Sequence, residues 1–159
     1  MGKTPLSLLR IQRELEEVQI NPKDQIAFER NPNDTGTVLY TLYLTDGIYA
    51  NQAYTFAIHI PLDYPFAPPK PWCLQSVLHP SIDERGRVCL NITREDWSMR
   101  YGVQSVIFGL SAIFYELPED TPLNKEALDL FRHSPQEYTA KAFETYSRQI
   151  PNTAYNTMK

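Results

Sequence analysis

Apolar residues change their spacing several times along the chain, and each change marks a different kind of element. Leu8, Ile11, Leu15 and Val18 recur every three or four residues, and Thr4-Pro5 ahead of them reads as an N-cap followed by proline at the first helical position. The spacing predicts a helix over about 5–19, ended by Asn21-Pro22, with Arg10, Gln12, Arg13, Glu14, Glu16 and Glu17 on its other face. From about 25 to 75 the period drops to two: Val38, Tyr40, Leu42 and Leu44 form one alternating set, and Tyr54, Phe56, Ile58 and Ile60 another. The turn signals Asn31-Pro32-Asn33-Asp34-Thr35-Gly36 and Asp46-Gly47 leave only short connections, which suit an antiparallel meander and not parallel strands with helical crossovers. A last short strand is expected near 70–75.

Pro61, Pro65, Pro68, Pro69 and Pro71 forbid a central strand or helix and predict a stiff, ordered loop. Residues 76–102 hold no sustained period, and an irregular stretch of that length in a compact domain is more often functional than a mere connector. Val103, Val106, Ile107, Leu110, Ile113 and Phe114 then return to helical spacing and predict a core helix over about 103–115, stopped by Leu117-Pro118. A short helix over about 124–132 and another from about 135 follow, the latter with Ser134 and Glu137 as a capping box and Ile150-Pro151 as its end. The order of elements is that of an α+β domain: N-terminal helix, four-stranded antiparallel meander, long loop, core helix and C-terminal helices. A single domain over 1–159 is expected, folded over about 5–150, with 151–159 as a mobile tail.

Composition narrows the class. Of 159 residues 42% are hydrophobic and 21% charged, and no apolar run reaches the ~18–20 residues that span a bilayer, so neither a membrane protein nor a disordered chain is expected. Fifteen Lys and Arg against 19 Asp and Glu give a net charge of −4, which lacks the global positive field of a nucleic-acid binder. The start, Met1-Gly2-Lys3-Thr4-Pro5, has no apolar signal region, so a cytoplasmic or nuclear location is expected. Two cysteines, Cys73 and Cys89, are too few for a disulfide framework and fit a reducing compartment.

Cys89 is the candidate nucleophile, because a thiol ionises readily near neutral pH and this one lies in the irregular segment; the alternative is a buried structural cysteine. Cys73, beside Trp72 at a strand end, reads as a packed small hydrophobe. A cysteine hydrolase would need a base, for which His79 is the candidate, since His59 alternates on a strand and His133 lies at a helix end. More often, a histidine before proline is a structural hydrogen-bonding residue. The cysteine and histidine spacing matches no zinc pattern, and no phosphate-binding glycine loop occurs.

Tyr64-Pro65-Phe66-Ala67-Pro68-Pro69-Lys70, His79-Pro80-Ser81-Ile82, Gly86-Arg87-Val88-Cys89-Leu90-Asn91-Ile92 and Trp97 together resemble the central signature of ubiquitin-conjugating enzymes, and the likeness extends over about 5–150. Leu9-Arg10-Ile11-Gln12, Cys89-Leu90-Asn91-Ile92, Arg94-Glu95-Asp96-Trp97 and Pro122-Leu123-Asn124-Lys125-Glu126-Ala127 most resemble the branch that conjugates the ubiquitin-like modifier Nedd. The resemblance implies the ubiquitin-conjugating enzyme fold and a transferase. Cys89 would accept ubiquitin or a Nedd-type modifier as a thioester from an activating enzyme and pass it to a substrate lysine, usually with a ligase of RING or cullin-associated type. It implies no metal and no cofactor on this chain, ATP being used by the activating enzyme, and no nucleic-acid or membrane partner.

The resemblance also assigns the surroundings of Cys89. His79 and Pro80 shape the site; where the family places an asparagine amide near the oxyanion the chain has Ser81, and where it places an acid beside the incoming lysine the chain has Thr121. Asn91 or Ser81 is therefore expected in the amide role and Asp120 in the acidic one. Arg10 and Arg13 match the face that meets the activating enzyme, while Phe66 with Ser98, Met99 and Arg100 matches the ligase surface, unless Phe66 caps the core. The two departures also allow a catalytically weak member that serves as a binding module.

Overall fold

A computed structural model describes residues 4–120 and 122–148. The elements run α1 (Leu6–Glu17), β1 (Gln25–Arg30), β2 (Gly36–Tyr43), β3 (Ala53–Ile60), β4 (Lys70–Cys73), a 3-10 turn (Asn91–Thr93), α2 (Val103–Tyr115), α3 (Lys125–His133) and α4 (Pro135–Arg148). The strands pair antiparallel in chain order, so the period-two region is the expected meander. Register sets Val38 against Ile58, Tyr40 against Phe56 and Leu42 against Tyr54. These six side chains are buried and form the floor of the core. Leu8 and Ile11 of α1 cover it from one side, and α2 lies across it with Val103, Val106, Ile107, Leu110, Ile113 and Phe114 buried. Each such side chain contributes roughly 1.5–3 kcal/mol on burial, so these residues hold the layers together.

Three details differ from the pattern in the sequence. Pro5 is itself the N-cap, because its ψ of 143° keeps it outside the helix, and α1 starts at Leu6 with Leu9 N–H donating to the Pro5 carbonyl at 3.2 Å. Ser134 builds no side-chain capping box among the described residues. As the C-cap of α3 its N–H donates to Leu130 O, and its carbonyl accepts from Tyr138 N–H at 2.9 Å, so peptide groups make the hydrogen bonds at the α3–α4 junction while the Phe131 and Tyr138 rings pack across it. Tyr49, in the turn after β2, is fully buried although no period marks it, and its ring packs edge-on to Tyr54, Phe114 and Tyr138. The end at Ile150-Pro151 and the tail 151–159 lie outside the described residues.

One polar node ties α1 to the start of α2. The Glu14 carboxylate accepts from the Tyr64 hydroxyl at 2.6 and 2.9 Å and from Val103 N–H at 3.1 Å, and pairs with Arg10 at 3.5 Å. Gly102 leaves room for this node, since a Cβ at that position would overlap Glu14 Oε1 and push the carboxylate aside. Arg10 continues the node by donating to the carbonyls of Met99 and Tyr101, both at 2.9 Å, and by lying over the Tyr64 ring. Half-buried donors left without an acceptor cost more than a surface pair is worth. Glu14→Ala should therefore lower stability by about 2 kcal/mol in urea denaturation, and Glu17→Ala, on the exposed face of the same helix, by under about 0.5 kcal/mol. Equal effects would show that the node carries no special stability.

Candidate active site

The irregular segment before Cys89 is a closed structure built on a few side chains. Asp83 caps its turn: Oδ1 accepts from Arg85 N–H at 3.0 Å and Arg87 N–H at 2.9 Å, while Oδ2 pairs with Arg87 Nε at 2.7 Å. Gly86, at φ 86°, takes the left-handed position that glycine occupies without strain. Its carbonyl accepts from Cys73 N–H at 2.8 Å, which fastens the turn to β4. Cys89 N–H then donates to the Ser81 carbonyl at 2.8 Å, so the backbone of the candidate nucleophile is held against residues 79–82. Leu90 is buried beneath it and the 3-10 turn follows at once.

His79 holds this segment to the core. It is completely buried; Nε2 lies 2.7 Å from the Ile113 carbonyl of α2, and Nδ1 accepts from Ser81 N–H at 2.9 Å. A carbonyl can only accept, so Nε2 carries the proton and the ring is the neutral Nε2–H tautomer. The ring stacks on Tyr49 at 5.8 Å and meets Phe114 at 4.8 Å. Burial lowers its pKa to about 4, with the Ile113 hydrogen bond opposing the shift. Both ring nitrogens are occupied and burial disfavours the imidazolium, so His79 is not a base for Cys89 and the hydrolase reading loses its second member. Pro80 has its own place: its carbonyl accepts from Leu123 and Asn124 N–H, both at 3.0 Å, drawing the segment before α3 onto the site.

That docking brings four expected residues together. Ser81, Cys89, Asn91 and Asp120 line one cleft of about 290 Å³ against Leu90, Ile113 and Pro118. Cys89 is partly exposed, whereas Cys73 is fully buried and its thiol is pushed up to about 12 by burial. Asp120 thus supplies a carboxylate at the cleft, one position before Thr121, which itself lies outside the described residues. Arg94, which the sequence marks only as part of a family-like motif, brings its Nη1 to 3.2 Å from Cys89 Sγ. Its offset of five across a 3-10 turn belongs to no period that a sequence pattern would mark.

The expected docking residues fall into two groups. Phe66 is 73% exposed and Met99 50% exposed, so Phe66 does not cap the core. Trp97 Nε1–H donates to the Pro65 carbonyl at 2.9 Å, which places the loop carrying Phe66 beside the segment of Ser98, Met99 and the exposed Arg100. Arg10 is engaged within the molecule, as described above, whereas Arg13 is largely exposed and among the described residues makes only a 3.7 Å pair with Glu17.

A sequence model described as "Ubiquitin-conjugating enzyme" matches residues 10–146. The chain is 38% identical to the "NEDD8-conjugating enzyme Ubc12" of Dictyostelium discoideum over 92% of its own length, and spans 61% of that protein. It is 34% identical to the "Nedd8-conjugating enzyme UbcE2M" of Drosophila melanogaster, over 86% of this chain and 75% of that one. Among solved structures, S. cerevisiae Ubc12 superposes with a TM-score of 0.83 at 29% identity, covering 89% of this chain and 80% of the other.

The burial of neutral His79 sets a pH dependence. Its folded value of about 4 lies below the ordinary value of 6.5, so on acidification the unfolded chain takes up the proton first, and stability is lost as pH falls from about 6.5 towards 4. Urea denaturation should show about 2 kcal/mol less stability from this group at about pH 5 than at about pH 7.5, and His79→Gln should lose that share of the slope. Parallel pH profiles for the two proteins would mean that His79 titrates alike in both states.

Proposed function

The chain belongs to the ubiquitin-conjugating enzyme family, transferases that work through a cysteine thioester, and we propose that Cys89 carries a NEDD8-type modifier between an activating enzyme and a substrate lysine. The observation that carries this reading is the cleft: a partly exposed thiol with Ser81, Asn91 and Asp120 gathered around it from three separate segments. The relatives, whose names specify NEDD8, support that choice of modifier over ubiquitin.

In this reading the Cys89 thiolate attacks the carbonyl carbon of the modifier's thioester with the activating enzyme, and that enzyme's thiolate leaves. The exchange converts one thioester into another, so it needs no strong base beside the thiol. Aminolysis asks for more, because a lysine has a reference pKa of about 10.4 and must reach the carbonyl carbon uncharged. Asp120, at the cleft rim, orients the ammonium and receives its proton, while the Asn91 amide or the Ser81 hydroxyl donates to the oxyanion. The chain then needs no cofactor of its own, ATP being spent on the activating enzyme, and works in the cytoplasm and nucleus.

Arg13, the freer of the two basic residues on α1, faces the activating enzyme, and Phe66 with Met99 forms an apolar spot for a ligase of RING or cullin-associated type. The accessible thiol and its converging polar groups favour an enzyme over a binding module.

The experiment is a charging assay with ATP and either NEDD8 or ubiquitin, each with its own activating enzyme, followed by single-turnover discharge onto free lysine. A thiol-labile adduct with NEDD8 that is absent in Cys89→Ala is expected. Discharge should fall roughly 10²-fold in whichever of Asn91→Ala and Ser81→Ala removes the oxyanion donor, and about ten-fold in Asp120→Ala. No adduct with either modifier would overturn the activity, and unchanged discharge in all three variants would overturn the assigned roles.

A further inference from the structure

We infer that Arg94 is a further catalytic residue of the proposed transfer, its guanidinium stabilising the Cys89 sulfur as the thiolate that leaves when lysine attacks. The inference rests on the thioester reading above and adds to it the one positive charge that, among the described residues, touches the reacting atom.

Nη1 of Arg94 donates to Cys89 Sγ at 3.2 Å. The backbone of Arg94 is fixed: its N–H donates to Asn91 O at 3.0 Å and its carbonyl accepts from Trp97 N–H at 3.3 Å, so the guanidinium projects from the same turn that starts two residues after the thiol. Among the described residues Arg94, like Arg30, Arg85 and Arg100, makes no ion pair with a carboxylate, and of these four it is the one whose guanidinium donates to the sulfur. The cleft supplies no substitute. Ser81 and Asn91 are neutral, Asp120 is a carboxylate, and His79 has both nitrogens engaged elsewhere.

The two halves of the reaction use this charge differently. In discharge, the lysine nitrogen bonds to the carbonyl carbon and the carbonyl pair moves to oxygen. As the carbonyl re-forms, the C–Sγ bond breaks and its electron pair returns to Sγ; Asp120, having released the ammonium's first proton to solvent, takes the second from the attacking nitrogen. The Arg94 guanidinium takes no part in these proton transfers, and its stabilisation of the leaving thiolate acts with full effect. In charging, Cys89 is the attacking sulfur, and a donor that holds it as the anion also lowers its nucleophilicity, so the two effects partly cancel. Arg94 therefore accelerates discharge more than charging, an asymmetry that a merely structural residue would not produce.

The test compares wild-type, Arg94→Gln and Arg94→Lys in separate single-turnover charging and lysine-discharge assays, with iodoacetamide alkylation of Cys89 at about pH 7 as a readout that needs no modifier. Cys73 is fully buried, so alkylation of the folded protein reports Cys89. With unchanged melting temperature, Arg94→Gln should discharge about ten-fold more slowly, charge no more than about three-fold more slowly and alkylate more slowly, and Arg94→Lys should recover most of the discharge rate. Discharge within about two-fold of wild-type, an equal fall in both steps, or a Lys variant as slow as the Gln variant would overturn the inference while leaving charging of Cys89 intact. A wild-type protein that takes no modifier would overturn the thioester reading itself.

Discussion

A single buried imidazole determines where the reactive segment lies. Residues 76–102 contribute only one short turn of helix and a few isolated bridges, so most of their backbone groups find partners outside any regular ladder. His79 solves the first part of that problem by spanning the Ile113 carbonyl on α2 and the Ser81 N–H in the loop. Once Ser81 is placed, its carbonyl receives Cys89 N–H, and once Pro80 is placed, its carbonyl receives the segment that carries Asp120 towards the cleft. The neighbouring aromatic residues make the clamp stiff. The Tyr49 and Tyr138 hydroxyls meet each other and the Leu78 carbonyl, which ties α4 to the residue just before His79.

The Glu14 node is the second fixed point, at the C-terminal end of the reactive segment. It joins α1, Tyr64 and the start of α2, and through Arg10 it holds the carbonyls of Met99 and Tyr101. The exposed Phe66 and Met99 therefore stand on backbone that is fixed before any partner arrives. Cys89 sits between the two anchors, in a segment whose ends cannot drift. A carrier that must meet two partners in turn gains from this arrangement, because docking geometry and thiol position are set by the same core.

Much of this fold was legible in the chain because its elements bury one face. The period of 3.6 in residues 103–115 and the alternation at Val38–Tyr40–Leu42 state which side faces inward, and the sheet and α2 obey them. Tyr49 escaped because it fills the core from a turn, where no neighbour repeats its spacing. The N-cap of α1 shifted by one residue because proline satisfies both the first helical position and the extended position before it. In the site, Ser81, Asn91 and Asp120 follow from a family likeness alone, whereas elementary chemistry marks Cys89 as the candidate nucleophile but leaves it undecided against a buried thiol; all four share one cleft. The Arg94 contact was missed for a different reason: the reach to the sulfur depends on a side-chain rotamer and a single 3-10 turn, and neither leaves a trace in hydrophobic pattern.

The clamp makes a direct demand on one proton. Long-range nitrogen–proton correlation spectra of the His79 ring, recorded from about pH 8 to about pH 5, should show the neutral Nε2–H tautomer throughout, with no titration step near the ordinary histidine value. A ring that protonates near about pH 6.5, or that carries its proton on Nδ1, would contradict the bridge between α2 and Ser81, and with it the placement of Cys89 that depends on that bridge.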